Sequence, residues 1–188
     1  MNWKKTILSF LVMLMLMPVS SQSDINYHHK TVIKFLQKSG IQDLKTLKEI
    51  VPSASKSSIR SINGKYYKIE TENKEHFKYI YVGRVYSCRA SGCTISNDSF
   101  QESNSEYFDY FMLFDLIGTV QYVKIFNYQA THGQEITAKG WLKQFVGFDG
   151  KRKLSVGKEI DNISGATISV NAITSDILQK TDALKEIL

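Results

Sequence analysis

The pattern of apolar and polar positions divides the chain into three unlike stretches. Residues 7–17 form an apolar run broken only by Ser9. Residues 31–36 (Val32, Ile33, Phe35, Leu36) and 44–51 (Leu44, Leu47, Ile50, Val51) carry apolar side chains three and four apart. That spacing predicts two helices, the second stopped by Pro52. Residues 53–61 hold five serines and read as a connector, and Asn63-Gly64 is a turn dipeptide. From Lys65 the character changes. Residues 66–70, 77–85 and 107–117 are rich in aromatic and β-branched side chains, which predicts strands. The stretch 109–117 is nearly continuously apolar, as expected of a strand covered on both faces. Gly118-Thr119 then turns the chain into a hairpin partner over 120–128.

Polar stretches between Cys93 and Glu106, and again over 129–135, predict exposed loops. A short helix is expected over 137–145 around Trp141, Leu142 and Phe145, then a turn at 147–150 and a basic cluster, Lys151-Arg152-Lys153. The last element is an amphipathic helix from about Ile168 onward, with Val170, Ile173, Ile177, Ala183, Leu184 and Ile187 facing the core. Helices at both ends of an antiparallel-looking middle predict an α+β fold, an antiparallel sheet core flanked by N-terminal and C-terminal helices.

Composition narrows the function classes. The 188 residues are 43% apolar and 12% aromatic, enough for one well-cored domain and too much burial potential for disorder. The net charge of +6 is dispersed rather than clustered, so no nucleic-acid partner is expected. Four scattered His and two Cys predict no metal site. Lys4 and Lys5, the run 7–17 and the small residues near Ser21 and Gln22 read as a secretory signal over residues 1–22. The alternative is an uncleaved segment that anchors the protein to a membrane. Eleven helical residues rise only about 16 Å, short of a roughly 30 Å hydrocarbon core, which favours cleavage. Without Lys4 and Lys5 the 24 cations become 22 against 18 acids, so part of the basic balance belongs to the export signal.

An oxidising compartment makes Cys88 and Cys93 candidates for a disulfide. The bridge would close a small loop and contribute about 2 kcal/mol. The other reading is a redox-active dithiol, although the four-residue spacer is not the C-x-x-C of thioredoxin-like sites.

The segment richest in chemistry is Asp161-Asn162-Ile163-Ser164-Gly165-Ala166-Thr167. Small residues at 164–166 stand just before a helical pattern, with hydroxyls at 164, 167 and 169. Unpaired N–H groups and the positive end of the helix dipole favour a phosphate there. An ordinary Ser or Thr N-cap is the plainer reading of the same residues.

This string resembles the D-x-x-[S/T]-G-A-T signature of the FMN-binding domain family, which includes flavin subunits of the Rnf complex and of the sodium-pumping quinone reductase. Upstream, Gly118 to Ile125, then Thr131-His132-Gly133-Gln134-Glu135-Ile136, then Trp141 to Phe145 are similar to the family's strand, glycine loop and short helix. The resemblance is best over residues 81–178. With the signal peptide at 1–22 and an N-terminal helical segment and linker at 23–64, it implies an FMN-binding domain at 65–188. It further implies FMN attached as a phosphoester to Thr167 by a flavin transferase that draws on FAD, with Asp161, Ser164, Gly165 and Ala166 around the attachment point.

By the same resemblance the loop with Thr131, His132, Gly133 and Glu135 lies against the flavin ring, Gly133 allowing close approach of the backbone. His132 is either a donor to the reduced flavin or an exposed loop histidine. Glu135 is either a ring contact or a surface charge. The loop lacks the acid and the proline of the respiratory subunits, and a histidine stands in the proline's place. The expectation is therefore a stand-alone exported electron carrier rather than a turnover enzyme, which exchanges electrons with a donor and an acceptor outside the cytoplasmic membrane and docks peripherally on a membrane redox complex. If it is an enzyme, it is an FMN-dependent oxidoreductase component. The alternatives are a flavin-free interaction module of the same fold and a thiol–disulfide protein working through Cys88 and Cys93. His28-His29 is expected in a mobile terminus just past the cleavage site.

Overall fold

The computed structural model describes residues 24–50, 63–71, 76–89 and 105–188. Helix α1 (Lys30–Lys38) precedes strands β1 (Leu47–Ile50), β2 (Gly64–Ile69), β3 (Tyr79–Arg89), β4 (Ser105–Phe114) and β5 (Val120–Tyr128). A short helix α2 (Lys139–Leu142) and a long one, α3 (Thr167–Ile187), complete the fold. The strands form one sheet in the order β1-β2-β3-β4-β5, with every neighbouring pair antiparallel. The fold is α+β. No described helix is long and apolar enough to cross a membrane. The export-signal reading and the Cys88–Cys93 pairing lie outside the described residues, apart from the backbone of Cys88 in β3.

Strand β4 is central and buried along residues 108–114, which explains its unbroken apolar run. Alternate side chains serve two cores. Phe108, Tyr110, Met112 and Phe114 join the cluster that includes Val170, Ile173, Ile177 and Leu184 of α3. Phe111 and Leu113 point the other way, into the cluster with Val32 and Leu36 of α1. On this second side Arg84 grips Asp109 with two hydrogen bonds, 2.7 Å from Nε and 3.1 Å from a terminal nitrogen. Asn127 also donates to Asp109, at 2.7 Å, so the buried carboxylate is held by β3 and β5 at once.

Helix α1 ends on a Schellman motif. The Ile41 N–H reaches the Leu36 carbonyl at 2.9 Å and the Gly40 N–H reaches Gln37 at 3.0 Å, while Leu36 and Ile41 are fully buried. At its start His29 Nδ1 accepts from the Thr31 N–H at 3.2 Å, and the imidazole stacks on Phe126 at 4.8 Å. His29 is thus a packed helix cap, not part of a mobile terminus.

Two elements differ from their sequence reading. Residues 44–51 are expected to be helical, yet Leu47–Ile50 is an edge strand paired with β2, Leu47 opposite Ile69 and Ile50 opposite Tyr66. Apolar residues three apart suit a helical stripe, but in the strand they fall on opposite faces, Leu47 with the α1 cluster and Ile50 with the α3 cluster, and the open edge of β2 offers backbone partners that only the assembled sheet reveals. The strand expected to reach Ile117 stops at Phe114, because the Asp115 carboxylate accepts from the Ile117 and Thr119 N–H groups and closes the hairpin turn. Leu116 and Ile117 are left exposed at its tip.

Candidate functional site

The Asp161–Thr167 motif forms a turn delivered to the start of α3 by contacts with α2. Trp141 Nε1 donates to the Asp161 carbonyl at 3.0 Å, and the Asp161 N–H donates to Gln144 at 2.8 Å. Trp141 packs edge-on against the buried Phe145, so the short helix works as a clamp on the motif's backbone. The Asp161 carboxylate itself makes no hydrogen bond among the described residues. Gly165 takes φ +78, a left-handed conformation that costs a side-chain-bearing residue about 1–2 kcal/mol. A Cβ there would meet nothing within 4 Å.

Ala166 stands at the N-cap position and has no side-chain oxygen with which to satisfy the first N–H groups of the helix. The first turn also carries no acid. Thr167 follows as the first helical residue, exposed, its hydroxyl without a hydrogen bond among the described residues. A cleft of about 330 Å³ opens in front of it, lined by Ser87, Glu106, His132, Gly165, Ala166, Thr167, Ile168 and Ser169. That size falls within the roughly 300–1,000 Å³ of small-molecule sites. An uncapped helix start facing a cleft is an anion seat: the N–H groups supply donors and the helix dipole a partial positive charge.

The opposite wall comes from the ends of β3 and β4 and from the loop after β5. Glu106 accepts from the Thr131 N–H at 3.1 Å and from the Thr131 hydroxyl. The Tyr128 hydroxyl lies 2.5 Å from the His132 carbonyl and 3.2 Å from Ser169 Oγ. Burial raises the Tyr128 phenol above its ordinary value; the Ser169 hydrogen bond offsets this in part, while Glu106 and Glu135 add to it. It therefore stays protonated at neutral pH.

The motif and the loop, nearly thirty residues apart, meet at this cleft. Gly165, Ala166, Thr167 and His132 line it. Thr131 stands at the rim on Glu106. Gly133 is turned toward α3, where an added Cβ would fall 2.7 Å from Ser169 Oγ. Glu135 and Ser164 are exposed and do not line the cleft.

Residues 105–179 match the family model of the FMN-binding domain. The match covers 75 of the 188 residues, and over that segment the chain is similar to an FMN-binding domain. No curated protein matches the chain. The matched segment runs from the first residue of β4 through most of α3, so it contains the motif, the loop and the clamp. The cleft draws one wall from outside that segment, because Ser87 belongs to β3. The residues present fit the cofactor: an uncapped helix start suits its phosphate, and the adjoining cleft has the volume of a small-molecule site.

Ser87, Glu106 and Tyr128 were not legible as site residues. Ser87 falls at the register shift between Tyr86 and Cys88, and Glu106 reaches the site only through β3–β4 pairing. The polar end of the aromatic β5 strand is the one local signal that Tyr128 carries.

Proposed function

We propose that this protein is an exported flavoprotein whose FMN is held as a phosphoester on Thr167, and that it carries electrons between partners outside the cytoplasmic membrane. The observation that supports this reading most directly is Thr167 itself. It is an exposed hydroxyl, without a hydrogen bond among the described residues, on the first residue of an uncapped helix that opens onto a cleft. Attachment joins Thr167 Oγ1 to the phosphorus of the FMN moiety. The transferase cleaves the pyrophosphate of FAD, AMP leaves, and the threonine proton is lost.

Bound FMN supplies reversible transfer of one or two electrons. The chain's own part is to hold and orient it. The N–H groups at the start of α3 and the dipole behind them stabilise the phosphoester's negative charge. Gly165 and Ala166 keep the approach to Thr167 free of side-chain bulk, and the Trp141–Gln144 clamp fixes the turn that presents it. His132 lines the same cleft as Thr167, so it would be among the residues that surround the bound cofactor. The donor, the acceptor and the transferase are partners of this reading, and export brings the chain to a transferase working outside the cytoplasm.

Intact mass of the mature protein from its native host tests the proposal. An increment of FMN less one water, retained on denaturation and absent from Thr167→Ala, is the expected result. A native protein of unmodified mass overturns it.

A further inference from the structure

We infer that Tyr128 is a positioning residue of the flavin site: its hydroxyl locks the His132 loop onto the first turn of α3 and so sets the surroundings of the flavin ring. The inference rests on the flavin reading above but reaches residues to which that reading gives no role.

The available protons set the direction of these bonds. The Tyr128 hydroxyl has one to give, and two oxygens lie within reach, the His132 carbonyl at 2.5 Å and Ser169 Oγ at 3.2 Å. A carbonyl can only accept, so the phenol proton goes to His132. Ser169 must then be the donor to Tyr128, and the chain runs from Ser169 through Tyr128 to His132. A helical serine commonly turns its proton back to the preceding turn of its own helix. Here it is spent across the site, and Ser169, which lines the cleft, offers only lone pairs to a ligand.

Three further observations make this a built tie. The Tyr128 ring stacks flat on Phe108, with centroids 5.5 Å apart and planes at 9°, and Phe108 is fully buried in β4. Gly133 presses its backbone onto the same pair, since a Cβ there would come 2.7 Å from Ser169 Oγ and 3.1 Å from Tyr128 Oη. On the loop's far side Glu106 takes both the N–H and the hydroxyl of Thr131. The loop is fastened to β4 by one end and to α3 by the other. Of the two fastenings, Tyr128 is the one that connects it to the helix bearing Thr167.

Tyr128→Phe keeps the stacked ring and removes only the hydroxyl. Amide exchange at residues 131–134 is measured first in the flavin-free Thr167→Ala background, so that this arm does not depend on cofactor loading. Exchange should quicken by about tenfold, the equivalent of one net hydrogen bond. In flavin-loaded protein Tyr128→Phe should keep the FMN mass increment, lower the anisotropy of flavin fluorescence and shift the flavin midpoint potential. Ser169→Ala should move the same readouts in the same direction. Unchanged exchange overturns the tie. Faster exchange with unaltered anisotropy and potential overturns the positioning role and leaves a purely structural bond. Absence of flavin from the wild-type protein defeats the function proposed above, while the exchange arm still decides whether the tie exists.

Discussion

The first turn of α3 and its middle are built on opposite terms. At its first turn the helix has no capping side chain, no acid and an exposed threonine beside a cleft. Nine residues on, the same helix buries Asp176 and Lys180 against the sheet. Their ion pair spans 3.1 Å, Tyr110 donates to Asp176 at 2.6 Å, and the Tyr66 hydroxyl donates to the Lys180 carbonyl at 2.7 Å. Thr174 and Thr181 return their hydroxyls to the helix backbone at 2.7 Å each. The start leaves hydrogen-bonding capacity unspent, and the middle spends nearly all of it. The buried network seats the helix, and the seating lets its start remain open.

The contrast is testable from both sides. Thr167→Ala should remove covalent flavin completely, yet shift unfolding free energy by no more than about 0.5 kcal/mol, because the residue is exposed and caps nothing. Mass spectrometry and urea unfolding on one preparation check both statements. Asp176→Asn should do the reverse. It keeps an acceptor for Tyr110 but strips Lys180 of its carboxylate, at a cost of about 3–5 kcal/mol. Flavin attachment should survive wherever the variant is folded. Replacing both members, Asp176→Leu with Lys180→Met, should recover much of that loss; failure to do so would show that the pair selects the helix seating rather than being tolerated by it.

A smaller effect separates the site's two glycines. Gly165→Ala should cost about 1–2 kcal/mol, for its left-handed backbone alone, since the added methyl meets open space. Gly133→Ala adds a collision with Ser169 to the same backbone strain and should cost more, and a pair of thermal melts ranks them.

The smallest effect is on pH dependence, where the buried and exposed acids pull in opposite directions. Burial raises the Asp176 carboxyl above its ordinary range, and Lys180 and Tyr110 restore only part of the shift. The folded state holds that proton more tightly than the unfolded chain. Its contribution to stability is therefore full in acid and declines as pH rises from the ordinary carboxyl range through the raised value. Glu159 and Asp149 lie on the surface and are lowered, chiefly by the backbone N–H groups of Ser155 and Lys151 respectively. Their contribution is present above the ordinary range and lost as pH falls through the lowered values. Unfolding midpoints from pH 3 to 8 should show the Asp176 slope vanish in Asp176→Asn and the acid limb flatten in Glu159→Gln.

Much of this plan can be read from residues. The β4–β5 hairpin follows from a continuous apolar run, a Gly-Thr turn and a second β-rich run. The buried stripe of α3 follows from helical spacing, and the motif string marks the place where that helix starts without a capping side chain. Leu47–Ile50 was misread because four residues cannot fix a period. The buried Asp176 and Lys180 carry no local sign, since an i, i+4 acid–base pair usually marks a solvated helix face. Glu106 and Tyr128 looked like ordinary strand-end residues until pairing set one against Thr131 and packing set the other between His132 and Ser169.

The sequence by itself determined most of the element types, the two-sided burial of the central strand and the place of the small-residue motif at the start of α3. Each of these depends on neighbours a few residues away, through side-chain period, turn chemistry or a short motif. Only the tertiary structure decided that β1 joins the sheet, that Glu106 and Ser87 wall the cleft, and that Tyr128 ties the loop to α3. The partners of β1 lie 16 to 22 positions away, Thr131 lies 25 from Glu106 and Ser169 lies 41 from Tyr128, and no local propensity encodes which distant backbone or hydroxyl will be within reach.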